Sequence, residues 1–219
     1  ADGIVGSDTF RELFTGSARA VRSASEFEFE FESTPKPKFA NCSDTQKNEI
    51  NAVLMKAHAA VKASAAVLAS LYSGNSSVTV RAQPLLTTHF HTTDRSNILK
   101  IYRKVFSIGE AFKKGLKFEC EVDCDVTECG YSYWWKRFGG VGFGDIHICF
   151  DNRPDHCSFS KFSEEEKVAA IIHEATHRYA GIDDKVYAFE NNYSKLSAEE
   201  AMNNADSYAL FCTKLFFKT

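Results

Sequence analysis

The stretch of this 219-residue chain best equipped for chemistry is 171–187, which reads I-I-H-E-A-T-H-R-Y-A-G-I-D-D-K-V-Y. His173 and His177 are four residues apart, a separation that on a helix puts both imidazoles on one face, about one turn from each other. Glu174 sits beside the first of them. A helix carrying H-E-x-x-H offers two neutral nitrogens to a Zn²⁺ ion and a carboxylate able to take a proton from a water that the ion activates. Two histidines leave a tetrahedral ion short of one protein ligand. Gly181 suits the left-handed conformation that ends helices, and Asp183 and Asp184 follow it at once. A carboxylate just past that turn can fold back to the metal, and Asp184, seven residues beyond His177, has the reach. Tyr187 comes three residues later, where its phenol can point into the same site.

Several helices are expected to position these groups. Ser163 and Glu166 form a capping box that opens the H-E-x-x-H helix, with Val168, Ile171, Ile172 and Ala175 as its buried side. Ser43 and Gln46 form another, ahead of Ile50, Val53, Leu54, Ala57, Val61, Ala65, Leu68 and Leu71 at helical spacing. That long helix should stop at Ser73-Gly74-Asn75. Asp94 can cap a second one, carrying Ile98, Ile101, Val105, Ile108 and Phe112 and ending near Gly115. Ser197 and Glu200 cap a single final helix through Ala201, Ala205, Tyr208, Phe211 and Leu215. Between the helices, residues 116–150 read as irregular β structure. The G-G-V-G-F-G run at 139–144 lacks the Lys-Ser/Thr ending and following helix of a phosphate loop, so it is a connection into the strand at 145–150. That strand is the candidate edge strand beside the metal, able to pair with a substrate backbone, and His147 on it is read as packing.

H-E-A-T-H followed by G-I-D-D-K-V-Y resembles the aspzincin metallopeptidases, the deuterolysin and peptidyl-Lys metallopeptidase group, whose pattern is H-E-x-x-H and then G-T-x-D-x-x-Y-G. The resemblance runs from about Cys42 to the C-terminus and includes H-F-H-T-T-D at 89–94 and N-N-A-D-S-Y-A-L-F at 203–211. It implies zinc ligands at His173, His177 and Asp184, a general base at Glu174 and a transition-state tyrosine at Tyr187. Two positions depart from the pattern: Ile182 stands for the usual Thr and Ala188 for the Gly after the tyrosine. In the Lys-specific relatives an Asp at the place of Asp206, with a Glu three residues on, lines the pocket for the residue after the scissile bond. Here the second position is Ala209. The resemblance therefore implies a preference for Lys and Arg after the scissile bond, short of strict lysine cleavage. It also implies disulfides Cys42–Cys120, Cys149 with Cys124 or Cys129, and Cys157–Cys212, with one of the seven cysteines left over.

Composition bounds the rest. A hydrophobic content of 44%, a charged content of 25% and a net charge of −3 describe a globular protein with no basic footprint, which argues against a nucleic-acid partner. No run is expected to reach a membrane-spanning length, and no signal-peptide layout opens the chain. The cysteines favour disulfides in an exported protein whose signal lies outside this chain, secreted or delivered as an effector toxin. At the N-terminus, D-G-I-V-G-S-D-T-F-R-E-L looks like the tail of a peptidoglycan-binding repeat, giving a remnant at 1–13. A linker follows at 14–41, with a Phe/Glu strand at 26–32, and the catalytic domain spans 42–219. The expectation is an α+β, mainly helical zincin-like fold with a small disulfide-braced β-region. It would act as a monomeric zinc endopeptidase on protein or peptide substrates. Cleavage of peptidoglycan cross-links, or a silent zinc-containing binding protein, are the alternatives.

Overall fold

The computed structural model describes residues 35–74, 79–124, 130–132, 137–138, 141–142, 145–153 and 156–217; the repeat-like remnant, the linker up to residue 34 with its Phe/Glu strand, and most of the glycine-rich run lie outside them. The chain begins with β1 (Lys38–Ala40) and the long helix α1 (Asp44–Tyr72), followed by α2 (Thr79–Phe90) and α3 (Arg95–Lys114). A β-region follows: β2 (Lys117–Glu121), β3 (Gly130–Ser132), β4 (Arg137–Phe138), β5 (Val141–Gly142) and β6 (Ile146–Cys149). Then come α4 (Glu164–Ala175), a π-helical turn (Thr176–Ala180), α5 (Ala198–Ala201) and α6 (Ala205–Phe217). The fold is α+β and mainly helical, with the sheet braced by disulfides, as expected.

The local signals hold where a few neighbouring residues carry them. Ser43 and Gln46 form a complete capping box at α1, Ser163 and Glu166 form one at α4, and Ser197 and Glu200 form one at α5. Asp94 precedes α3, although its side chain makes no capping bond, and Gly115 ends that helix at φ 89°. Helix α2 escaped the sequence reading: Pro84 sits inside it and interrupts the helical pattern.

Helix α1 is the spine of the core. Ile50, Leu54, Ala57, Val61 and Leu68 are fully buried, and the helix packs against α3, α4 and α6. Contrary to expectation, α1 is long and apolar enough to satisfy the length and composition of a membrane span, with mean hydropathy 1.4 over its best window; 56% of that window is buried within the protein. A core helix touched on several sides must be apolar over much of its circumference.

Strand order in the larger sheet is β1-β2-β6-β3, with β1, β2 and β6 parallel and β3 antiparallel to β6. The strand expected at the edge, β6, is therefore internal, and among the described residues β3 takes the edge. Ile146 and Ile148 are fully buried, as befits a strand with neighbours on both sides. His147 lies opposite Glu119 in register and its Nδ1 is 2.7 Å from Glu121 Oε1, so its side chain is committed within the sheet.

Disulfides Cys42–Cys120 and Cys124–Cys149 tie the start of α1 to β2 and the end of β2 to β6. The expected Cys157–Cys212 bridge does not form. Cys157 is disulfide-bonded, while Cys212 is a free thiol buried in α6. Its side chain lies among the helices α1, α2 and α4 that pack on α6, remote in kind from the cystine-rich loops.

Candidate functional site

The H-E-x-x-H segment does not stay α-helical to its end. It passes from α4 into the π turn at Thr176, whose Oγ1 donates to the Ile172 carbonyl at 2.7 Å. Gly181 then adopts φ 65°, ψ 42°, the left-handed stop read from the sequence, and Lys104 of α3 donates to the Ala180 carbonyl at 2.6 Å.

That turn aims the first two donors. Reversal at Gly181 brings the Ile182 carbonyl back to His177, which donates from Nδ1 at 2.6 Å. His173 donates from Nδ1 to Asp206 Oδ1 at 2.7 Å. Since a carbonyl and a carboxylate only accept, each ring carries its proton on Nδ1 and presents a lone pair at Nε2. The two Nε2 atoms stand 3.0 Å apart, and Asp184 offers Oδ1 to His173 Nε2 at 3.3 Å and Oδ2 to His177 Nε2 at 3.1 Å. Three electron-rich donors converging without a proton among them repel one another unless a cation lies between. Zn–N bonds of about 2.0–2.1 Å at tetrahedral angles put donors roughly 3.3 Å apart, so the spacing fits such an ion. His173, His177 and Asp184 also form a group of metal-competent side chains whose donor atoms all lie within 4.8 Å of one another.

The electrostatics agree. Burial disfavours a charged His173, yet the bonds to Asp184 and Asp206 outweigh it, so with no metal between the donors a proton is drawn to the same place. Burial likewise opposes an ionised Asp184, but the two imidazoles hold its carboxyl well below the usual range. Asp183, by contrast, is absent from that group: its side chain is 40% exposed and pairs with Lys185 at 3.5 Å.

Glu174, 6% exposed, has its pKa raised by burial, and its Oε2 has no hydrogen-bond partner among the described residues. Edge strand β3 runs beside it. A Cβ at Gly130 would lie 3.1 Å from the His147 carbonyl and 3.7 Å from Glu174 Cγ, and Ser132 Oγ donates to the Glu174 carbonyl at 3.2 Å. Tyr187 stacks on His173 with centroids 6.2 Å apart, and its hydroxyl donates to Asp184 Oδ2 at 3.4 Å. Burial, with Asp184 nearby, pushes the phenol up to about 12, so it stays protonated.

Asp206, expected in the substrate pocket, lies at the same centre. Besides taking the His173 proton, it accepts the Ala188 N–H on Oδ2 at 2.7 Å. The two departures from the family pattern thus fall where the backbone does the work: Ile182 acts through its carbonyl and Ala188 through its amide. All six residues singled out in the sequence are brought together. Overlooked there were Asn204 and the edge strand β3, the first hidden within N-N-A-D and the second too short to show periodicity.

The chain matches the family model described as lysine-specific metallo-endopeptidase over residues 75–213. Its fold is similar to that of a zinc peptidase from Grifola frondosa, with a TM-score of 0.57 and 22% sequence identity over 79% of this chain and 97% of that one. Among curated protein sequences, none matches the chain. A family match over more than half of the chain, in a range that includes the converging His173, His177 and Asp184, leads to one conclusion: the chain belongs to the aspzincin family of zinc-dependent metallo-endopeptidases.

Proposed function

We propose that His173, His177 and Asp184 hold the zinc of this endopeptidase, that Glu174 is its general base and that Tyr187 steadies the oxyanion. The observation that carries this is the convergence of three lone-pair donors at 3.0–3.3 Å with both Nδ1 protons already committed elsewhere. Zinc, when bound, supplies Lewis-acid polarisation of the scissile carbonyl and of the attacking water. Glu174 then takes the proton of that water, a task for which burial suits it by raising its basicity, and passes it to the leaving amine. Tyr187, kept neutral, donates a hydrogen bond to the carbonyl oxygen as negative charge develops there. Strand β3 offers the substrate backbone an edge beside Glu174, the part first given to the strand at 145–150.

The substrates are proteins or peptides, cut with a preference for Lys or Arg after the scissile bond. The family description as lysine-specific supports this, and Asp206 is the carboxylate to which the resemblance gives that part. Ala209, one turn on, is buried and adds no charge, so the preference is graded rather than strict. The disulfides favour an enzyme at work outside a reducing cytosol, exported by secretion or delivered as an effector.

Mass spectrometry of a digested peptide library tests the specificity. Cleavage should be enriched before Lys and Arg, and Asp206→Asn, which can still accept the His173 proton, should flatten the enrichment at saturating zinc. A wild type with no basic preference, or a variant that keeps it, refutes the assignment.

A further inference from the structure

The residue immediately before α6 is Asn204, fully buried, in a position where asparagine ordinarily caps its own helix. Here the side-chain oxygen turns away from the helix. Oδ1 accepts two backbone N–H groups of the loop that carries Asp184 and Tyr187: Lys185 N at 2.8 Å and Val186 N at 3.2 Å. Nδ2 reaches Ser207 Oγ at 3.5 Å, which fixes which end of the amide faces the loop. The backbone adds to the grip, since Asp183 and Asn204 form an isolated parallel bridge and Ala205 N donates to the Asp183 carbonyl at 3.0 Å.

Asp184 is therefore held on both sides. The peptide before it is tied to Ala205 and the two amides after it are tied to Asn204. Two residues further on, inside α6, Asp206 holds Ala188 N, so among the described residues the hydrogen bonds named here between this loop and the start of α6 come from the short run Asn204–Asp206. Those bonds are part-buried around a fully buried Asn204, and an amide shielded from water that loses its acceptor costs more than the bond itself contributes.

We propose that Asn204 is a positioning residue that sets zinc affinity by fixing the backbone around Asp184. This rests on the ligand assignment above. A carboxylate on an untethered loop would have to be ordered when the ion binds, whereas the Asn204 clamp orders it beforehand. The same clamp breaks what the sequence suggested was one continuous final helix: residues 202–204 leave the helical path between α5 and α6, and the side chain at the break crosses to the loop.

The test compares Asn204→Leu and Asn204→Asp in the full chain. Leu has similar bulk and no acceptor; Asp keeps an oxygen for both loop amides. Zinc affinity is measured by chelator competition, and melting temperature is measured with and without zinc. Loss of a partner that orients a ligand typically costs 10- to 100-fold in metal affinity, so Asn204→Leu should bind zinc about 10- to 100-fold more weakly. Its zinc-dependent rise in melting temperature should shrink, and Asn204→Asp should restore both. If Asn204→Leu lowers the melting temperature of the zinc-free protein while zinc affinity stays at the wild-type value, the residue is only a packing element and the proposal is overturned. If Asn204→Leu does not fold, the decision passes to Asn204→Asp against Asn204→Ser, whose shorter side chain cannot reach the loop: equal zinc affinity in those two overturns it as well. A wild type that fails to bind zinc removes the ligand assignment itself, a result distinct from either of these.

Discussion

Replacing Glu174 by Gln isolates proton transfer from everything else the site does. The amide has nearly the shape of the carboxylate, and the site offers no second base. Asp184 is another carboxylate at the site, but the two imidazoles hold it far below the usual basicity. Asp206 has one oxygen on His173 and the other on Ala188 N. Each histidine has its Nδ1 proton committed and its Nε2 turned into the donor cluster. The full value of general-base catalysis should therefore be lost, on the order of 10²- to 10⁴-fold in kcat, equivalent to about 3–5 kcal/mol of barrier. Zinc content should be retained, because Glu174 is not among the three converging donors. Stability should not fall either. Burial raises the pKa of Glu174, so the ionised side chain works against the folded state at neutral pH, and a neutral amide removes that cost. The assay is turnover of an unfolded protein substrate, alongside metal analysis and the melting temperature of the chelated protein. Activity within tenfold of the wild type, or loss of zinc along with activity, would refute the assignment of Glu174.

Three further outcomes follow from named contacts. Asp184→Ala should surrender zinc to mild chelation whereas Asp183→Ala should keep it, since only Asp184 faces the imidazoles; metal content of the two variants decides this. Thiol titration should find none in the native protein, because Cys212 is fully buried with its thiol pushed up to about 12, and about one after denaturation without reductant. Reduction should then lower the melting temperature, as such bridges typically contribute ~2–4 kcal/mol each. Asp151, whose carboxyl is held below the usual range by its bonds to Arg153 against the opposing effect of burial, supports the loop after β6. A depressed folded pKa contributes stability that is present above the unfolded pKa and lost as pH falls. Asp151→Asn should accordingly melt below the wild type at pH 7, and the gap should close in thermal melts below about pH 4.

What could be read from the residues alone was whatever is decided within a turn or two of chain. The i, i+4 histidines, three capping boxes and the Gly181 stop are short-range devices, each carried by a few neighbouring side chains, and all of them stand as read. The nature of the reaction belongs here too, because H-E-x-x-H places its groups on one helical surface whatever surrounds it. The choice between Asp183 and Asp184 lay at the limit of this reach. Spacing and resemblance favoured Asp184, but the geometry depends on Asn204 and Ala205, some twenty residues away in the chain.

Tertiary structure decided what depends on partners distant in sequence. The 146–149 strand is internal because β3, three residues long and without periodicity of its own, pairs along its free side. Cys212 stays a thiol because helix packing, not cysteine count, determines which sulfurs can meet. The last helix breaks at 202–204 even though Ala201, Ala205 and Tyr208 keep a helical spacing. There the buried amide of Asn204 gives its oxygen to two part-buried loop N–H groups, a pairing that a continuous helix through 202–204 would not supply.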